Sequence, residues 1–169
     1  MSSHPGFGRP EPIGPGHIVA WFSCGAASLD DFLKDHAIAS HHGGAAKTYV
    51  STDSDGPVVG YYSIAVGSVL HADATPRMTS GLSRNPVPVA ILARLAVADH
   101  AQGRGLGSGL LKDALLRLLG VADSIGIRSV VVHAKDETAK LFYQKYGFTV
   151  MPGNPLHLHL MIKDIRASV

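Results

Sequence analysis

Residues 88–107 read PVAILARLAVADHAQGRGLG, and this stretch decides the fold. Its first half, 88–98, is a long apolar run that opens at a proline, where a missing N–H costs a strand least. Its second half ends in Gln102-Gly103-Arg104-Gly105-Leu106-Gly107, a turn with three glycines. Beyond the turn, Leu106, Leu110, Leu111, Ala114, Leu115, Leu118 and Ala122 recur at offsets of 4, 5, 8, 9, 12 and 16. That is a helical period held for more than four turns. A buried strand, a glycine turn and an amphipathic helix in succession define an α/β domain.

Working outward, Gly126 ends the long helix, and Ser129–Ala134 (SVVVHA) is the near-continuous β-branched run of a strand covered on both faces. The pattern predicts a second helix over Asp136–Tyr146, stopped by Gly147, and short strands near Phe148–Met151 and Leu156–Ile162. Towards the N-terminus, Ser28 to about Ala39 predicts the first helix: Ser28 and Asp31 have capping-box spacing, and Leu29, Phe32, Leu33 and Ala37 share a face. Lys47–Thr52 and Val58–Leu70 predict an antiparallel hairpin across the turn-forming DSDGP at 53–57. Residues 71–86, polar and with two prolines, predict a loop with room for a helical turn, and no internal repeat is present.

Composition narrows the class. The 169 residues, 46% hydrophobic, make one domain with a sizeable core. Charged residues are 17%, against roughly 25% in an average globular protein, which excludes a disordered chain. A single cysteine, Cys24, excludes an internal disulfide, and beside Gly25 it reads as a turn residue. No apolar run approaches the roughly 20 residues of a membrane span. The Gly/Pro-rich opening MSSHPGFGRPEPIGPG lacks a signal peptide's apolar core. The expectation is a flexible segment over 1–16, a single domain over 17–169 and a cytoplasmic location. Residues 1–85 hold five Lys/Arg and seven Asp/Glu, and residues 86–169 hold ten and six. A second half at +4 is a weak pointer to an anionic ligand.

The glycine turn suits such a ligand. Glycines let backbone approach closely, and the free N–H groups and dipole at a helix start attract a pyrophosphate. The spacing is neither G-x-G-x-x-G nor G-x-x-x-x-G-K-[ST], so dinucleotide-fold and P-loop readings both fail. Gln-x-x-Gly-x-Gly after an apolar strand resembles the coenzyme A loop of the GNAT superfamily of N-acetyltransferases. AKLFYQKYGF at 139–148 resembles that superfamily's later signature. FSCGAASLDDFL at 22–33, VVGYYSIA at 58–65, PVPVAILARLAV at 86–97 and VHAKDETAKLFY at 132–143 resemble the acetyltransferase toxins of toxin–antitoxin modules. The resemblance covers about residues 21–162.

That resemblance implies a mixed, mostly antiparallel sheet splayed into a V between the strands at 89–97 and 129–134, flanked by helices. Pantetheine would pair with backbone near Leu95, Ala96 and Val97, and an N–H near Val97 would polarise the thioester carbonyl. The pyrophosphate would meet Gln102, Gly103, Arg104, Gly105, Leu106 and Gly107, with Ser108 and Phe142 completing the acetyl-CoA set. Tyr143 would donate the proton that the departing thiolate needs. From the residues alone, Phe142, Tyr143 and Tyr146 at helical spacing describe an aromatic core equally well.

The acceptor is read from what the strand at 88–98 lacks. It has no Asp or Glu, whereas many lysine-acetylating relatives use a nearby carboxylate as base. At pH 7 a lysine is only about 0.04% neutral, and an α-amine of pKa near 7.8 about 15%. The α-amine of an aminoacyl ester therefore suits a site without an obvious base. Arg94, the one charge in that strand, reads as a strand residue on an outer or dimer face or, by resemblance, as a contact to an anionic acceptor. Lys34, Lys47, Arg77 and Arg84 would extend that contact to tRNA. The implied partners are aminoacyl-tRNA, a ribbon-helix-helix antitoxin, a second copy of the chain, and DNA only through the antitoxin. Two alternatives stand beside this: acetylation of a small amine or protein N-terminus, and a non-catalytic acyl-CoA-binding component of a repressor complex. His157 and His159 point the same way on a strand but have no apparent third metal ligand. His133 reads as a satisfied core histidine, and His41-His42 as part of a loop.

Overall fold

In the computed structural model, which describes residues 6–54 and 56–169, the decisive apolar run is strand β4 (Val87–Val97). Before it come β1 (Glu11–Pro12), β2 (Lys47–Thr52) and β3 (Val58–Val69); after it come β5 (Ser129–His133), β6 (Thr149–Val150) and β7 (His157–Met161). Their hydrogen-bonded order is β1-β2-β3-β4-β5-β7-β6. β4 and β5 are parallel, while β1–β2, β2–β3, β5–β7 and β6–β7 are antiparallel. The parallel ladder pairs Val89–Leu92 with Ser129–Val132 and stops, although β4 continues to Val97. β5 itself ends at His133, one residue beyond the last pair.

Helices α1 (Ala27–Asp31) and α2 (Ala37–His42) are joined by a π-helical turn, Phe32–His36. The expected capping box is absent: the N-cap is Ala26, with no side-chain bond. Asp30 instead accepts the Cys24 N–H at 2.9 Å, so this carboxylate ties the turn at Cys24 to the helix from inside. His41 and His42 end α2 rather than lying in a loop. A short helix, α3 (Pro76–Thr79), is capped by Thr75 within the segment read as a loop. The long α4 (Leu106–Ala122) and α5 (Glu137–Lys145) follow, and α6 (Ile162–Ser168) ends the chain.

The chain divides into two compact units. One comprises the described residues up to Ala65 with Ala93–Ala114, the other Val66–Leu92 with Leu115–Val169. The first has a core of Ile13, Phe22, Leu33, Val50, Tyr61 and Ala96, among others. Gly60 makes a close approach there. A Cβ on it would stand 2.9 Å from Leu110 and 3.1 Å from Leu106, so any larger residue would push those side-chain ends aside where α4 lies close to β3. Asp113 is buried on the same helix and accepts the Tyr62 hydroxyl at 2.5 Å. Phe7 and Ile13 are buried too, and β1 pairs with β2; the Gly/Pro-rich opening therefore holds packed anchors that composition does not reveal. In the second unit, Met78, Val87, Val89, Val131, Met151 and Met161 form the core. Among the described residues no helix is long and apolar enough to cross a membrane.

Candidate active site

The glycine loop belongs to the first unit. After β4, the Ala98 N–H donates to Val59 at 2.8 Å and the Asp99 N–H to Ser23 at 2.8 Å. Gln102 then folds back, its amide nitrogen donating to the Val97 carbonyl at 2.9 Å and more weakly to Asp99 Oδ1 at 3.4 Å. The leading glutamine of the motif thus fixes where the loop leaves the strand. Gly103 and Gly105 have φ of 75° and 81°, left-handed values that suit glycine. A Cβ at Gly103 would meet nothing within 4 Å, so the loop is open to solvent at that point. The N–H groups of Leu106, Gly107 and Ser108 precede any intrahelical acceptor, and the first α4 bond runs from Gly109 to Gly105 at 3.1 Å. Arg104 lies 4.6 Å over the Phe7 ring. Open backbone, helix dipole and an adjoining guanidinium fit a pyrophosphate.

Arg94 is half-buried, its guanidinium 3.6 Å over the Phe32 ring. Lys34 and Lys47 are exposed in the same unit. Lys47 donates to the His41 carbonyl at 2.8 Å, and burial, then Lys47 and His42, hold His41 below the usual imidazole range.

The second unit holds Tyr143. Asp136 caps α5, accepting the Ala139 N–H at 2.8 Å, and Gly147 at φ 97° turns the chain so that Phe148 packs on Tyr143 with ring centroids 5.5 Å apart. Burial of the Tyr143 ring pushes its pKa up to about 12. Phe142, 5.2 Å from Tyr143, is half-buried. Arg77 is held by a two-pronged bridge to Asp164, at 2.8 and 3.0 Å, while Arg84 is exposed.

Sequence reasoning missed a cavity of about 380 Å³ in this unit, lined by Leu70, Asp73, Val131, His133, Met151 and His157, among others. His133 is not a core histidine: it ends β5 in an exposed position and pairs across strands with His157, the rings 3.8 Å apart and 14° from parallel. The spacing His133, His157 carried no signal, because only the β5–β7 register brings them together. Neighbouring His159 is buried and occupied on both nitrogens, by Ser129 at 3.0 Å and by Thr149 at 3.2 Å. Those bonds, which the sequence does not show, keep it from pairing with His157 on a metal.

A mixed sheet with one parallel strand pair, and a glycine cradle opening the helix that follows the first strand of that pair, is the architecture of N-acetyltransferases of the GNAT type. Residues 45–150 match the acetyltransferase (GNAT) domain family, and the chain belongs to that family. It is an acetyl-CoA-dependent N-acetyltransferase. It is 47% identical over 164 residues, 97% of this chain and 98% of the other, to the tRNA-acetylating toxin of Mycobacterium tuberculosis (strain ATCC 25618 / H37Rv). It is 32% identical to the "Probable toxin TacT" of Sinorhizobium fredii (strain NBRC 101917 / NGR234), over 93% of this chain and 92% of that one. A crystal structure of a tyrosine-to-phenylalanine mutant of KacT superposes with a TM-score of 0.87 at 26% identity, covering 95% and 98% of the two chains. AtaT complexed with acetyl-methionyl-tRNAfMet gives 0.87 at 24% identity over 94% and 97%. A mutant AtaT toxin bound to the C-terminus of the antitoxin AtaR and acetyl-CoA gives 0.81 at 23% over 96% and 98%.

Proposed function

We propose that this chain moves the acetyl group of acetyl-CoA to the α-amine of an aminoacyl-tRNA and so blocks its use in translation. The observation that carries the reading is 47% identity, end to end, with a toxin named for acetylating tRNA. In this reading the chain works as one acetyltransferase domain, with the packed anchors Phe7 and Ile13 included, in the cytoplasm and as a homodimer. A ribbon-helix-helix antitoxin holds the enzyme inactive and carries it to DNA; the antitoxin-bound AtaT structure supports such a partner.

Acetyl-CoA supplies an activated thioester. Leu95, Ala96 and Val97 offer backbone to its pantetheine, and the loop from Gln102 to Gly107 receives the pyrophosphate, with Ser108 and Phe142 alongside. Gln102 acts by shaping, since its amide nitrogen is bonded to Val97. Tyr143 is the proton donor. With a pKa near 12 it stays protonated at every working pH. Burial raises the Tyr143 pKa, so handing that proton outright to a thiolate of reference pKa near 8.5 is uphill. Tyr143 therefore works as a relay, giving its proton towards sulfur as it takes one from nitrogen.

Arg94, Lys34 and Lys47 meet tRNA phosphates, Arg84 extends the contact, and Arg77 contributes less because Asp164 already balances it. Incubation with acetyl-CoA and a pool of charged tRNAs, read by mass spectrometry, tests the proposal. N-acetyl aminoacyl ends are expected; acetylation of small amines or protein N-termini alone would replace it.

A further inference from the structure

The relay just described returns a proton to Tyr143 but leaves another unplaced. An aminoacyl ammonium must lose two protons to become an amide, and sulfur takes only one. No carboxylate on β4 receives the other. The stacked histidines that line the 380 Å³ cavity of the second unit are suited to it.

We propose that His133 is the base that accepts a proton from the acceptor's ammonium, and that the cavity beside it holds the amine-bearing aminoacyl group. This rests on reading the chain as an aminoacyl-tRNA acetyltransferase. The cavity lies within the range of small-ligand sites, roughly 300–1,000 Å³. Leu70, Val131 and Met151 offer apolar wall for a side chain, and Asp73 offers a negative charge to draw in the ammonium. The charged and titratable groups facing the cavity are Asp73, from the turn after β3, His133 on β5 and His157 on β7; no Lys or Arg lines it. Among the described residues, no protein group hydrogen-bonds the ring nitrogens of His133 or His157.

Magnitude favours the imidazole over the carboxylate. An α-amine near 7.8 lies about 1.3 units above a reference imidazole, a gap that the lowered pKa of His133 widens, and about 3.9 above a reference carboxylate, so transfer to histidine is the less uphill of the two. The parallel His157 ring fixes the orientation of His133 and makes a second positive charge 3.8 Å away unfavourable. Burial, then His157, hold His133 below the ordinary imidazole range, so it waits in the neutral form. Its exposure lets the imidazolium release its proton to water afterwards. The balance closes: a C–N bond forms and the C–S bond breaks, one nitrogen proton reaches sulfur through Tyr143, and the other leaves through His133.

His133→Gln and His133→Asn test this with purified charged tRNA and acetyl-CoA. Both should lower kcat by roughly 10²-fold, the range of general-base catalysis, with the KM for acetyl-CoA unchanged, and added imidazole should restore part of the rate. The acidic limb of kcat/KM should lose its imidazole component, and His157→Phe, which keeps a ring in the stack, should move that limb to higher pH. A second readout needs no turnover. The His133 Cε1–H resonance should shift when a 3′-aminoacylamino-3′-deoxyadenosine binds without acetyl-CoA. Wild-type rates and pH profile in both His133 variants, or an unmoved resonance with the probe bound, would overturn the proposal. If the wild type acetylates some other amine and no charged tRNA, the acceptor reading fails, and the same variants on that amine still decide the role of His133.

Discussion

The guanidinium of Arg94 lies 3.6 Å from the centroid of the Phe32 ring, and that ring stacks on Tyr61 at 6.3 Å. Phe32 sits in the π-helical turn between α1 and α2, with its aromatic face against the one charge of β4. A planar cation on a ring keeps its N–H edges free for phosphate oxygens. Arg94→Ala should therefore raise the KM for charged tRNA while leaving acetyl-CoA affinity unchanged. Arg94→Lys should recover only part, because an ammonium lacks the planar fork. Steady-state kinetics with each substrate varied in turn make the check.

Salt dependence should separate cations that meet tRNA phosphates from those that do not. Each lost phosphate contact should flatten the slope of log affinity against log salt by roughly 0.7–0.9. That flattening is expected for Arg94→Ala and Lys34→Ala. Arg77→Ala should leave the slope nearly unchanged, since Asp164 already holds that guanidinium with two hydrogen bonds. Filter binding at four salt concentrations distinguishes the three variants.

Cofactor binding is expected to depend on the loop's backbone. Gly105→Glu puts a side chain and a negative charge into the pyrophosphate cradle and should abolish acetyl-CoA binding by calorimetry. Gly103→Ala meets no neighbour within 4 Å but must hold φ near 75°, a strain of roughly 1–2 kcal/mol. It should weaken binding without abolishing it.

Tyr143→Phe keeps the ring packing and removes the hydroxyl of the proposed relay, so kcat should fall roughly 10²-fold or more with little change in acetyl-CoA affinity. The raised pKa adds a stability signature. The folded state holds the phenol proton more tightly than the unfolded state, whose tyrosine titrates near 10. Below pH 10 the two bind equal protons and nothing is lost; between 10 and about 12 the unfolded chain sheds its proton first and stability falls with rising pH. Thermal melts at pH 9, 10 and 11 should show a steeper alkaline loss in the wild type than in Tyr143→Phe. Tyr61, raised further by burial, contributes the same sign in both proteins.

Much of this was legible in the chain because it was local. The apolar run at 88–98 became β4 within one residue at each end, and the leucine period became α4 from Leu106 to Ala122. The glycine loop carried its own signature, since positive φ and close backbone approach leave residue types behind. What stayed hidden needed partners distant in sequence. Ser28 and Asp31 have the spacing of a cap, but Asp30 bonds to Cys24 instead. His133 looked like a core residue until the β5–β7 register placed it beside His157, 24 positions away. Phe7 and Ile13 sit among prolines and glycines that signal an open segment, and only their packing shows them as anchors.

The central claim, transfer to the amine of a charged tRNA, is met most directly by one competition. Acetyl-CoA consumption is followed with equal concentrations of aminoacyl-tRNA, the matching free amino acid and a lysine peptide, at low and at physiological salt. The account predicts that aminoacyl-tRNA is much the fastest acceptor at low salt, that its rate falls steeply as salt rises, and that the free amino acid barely responds. A lysine peptide acetylated faster than the charged tRNA would contradict it.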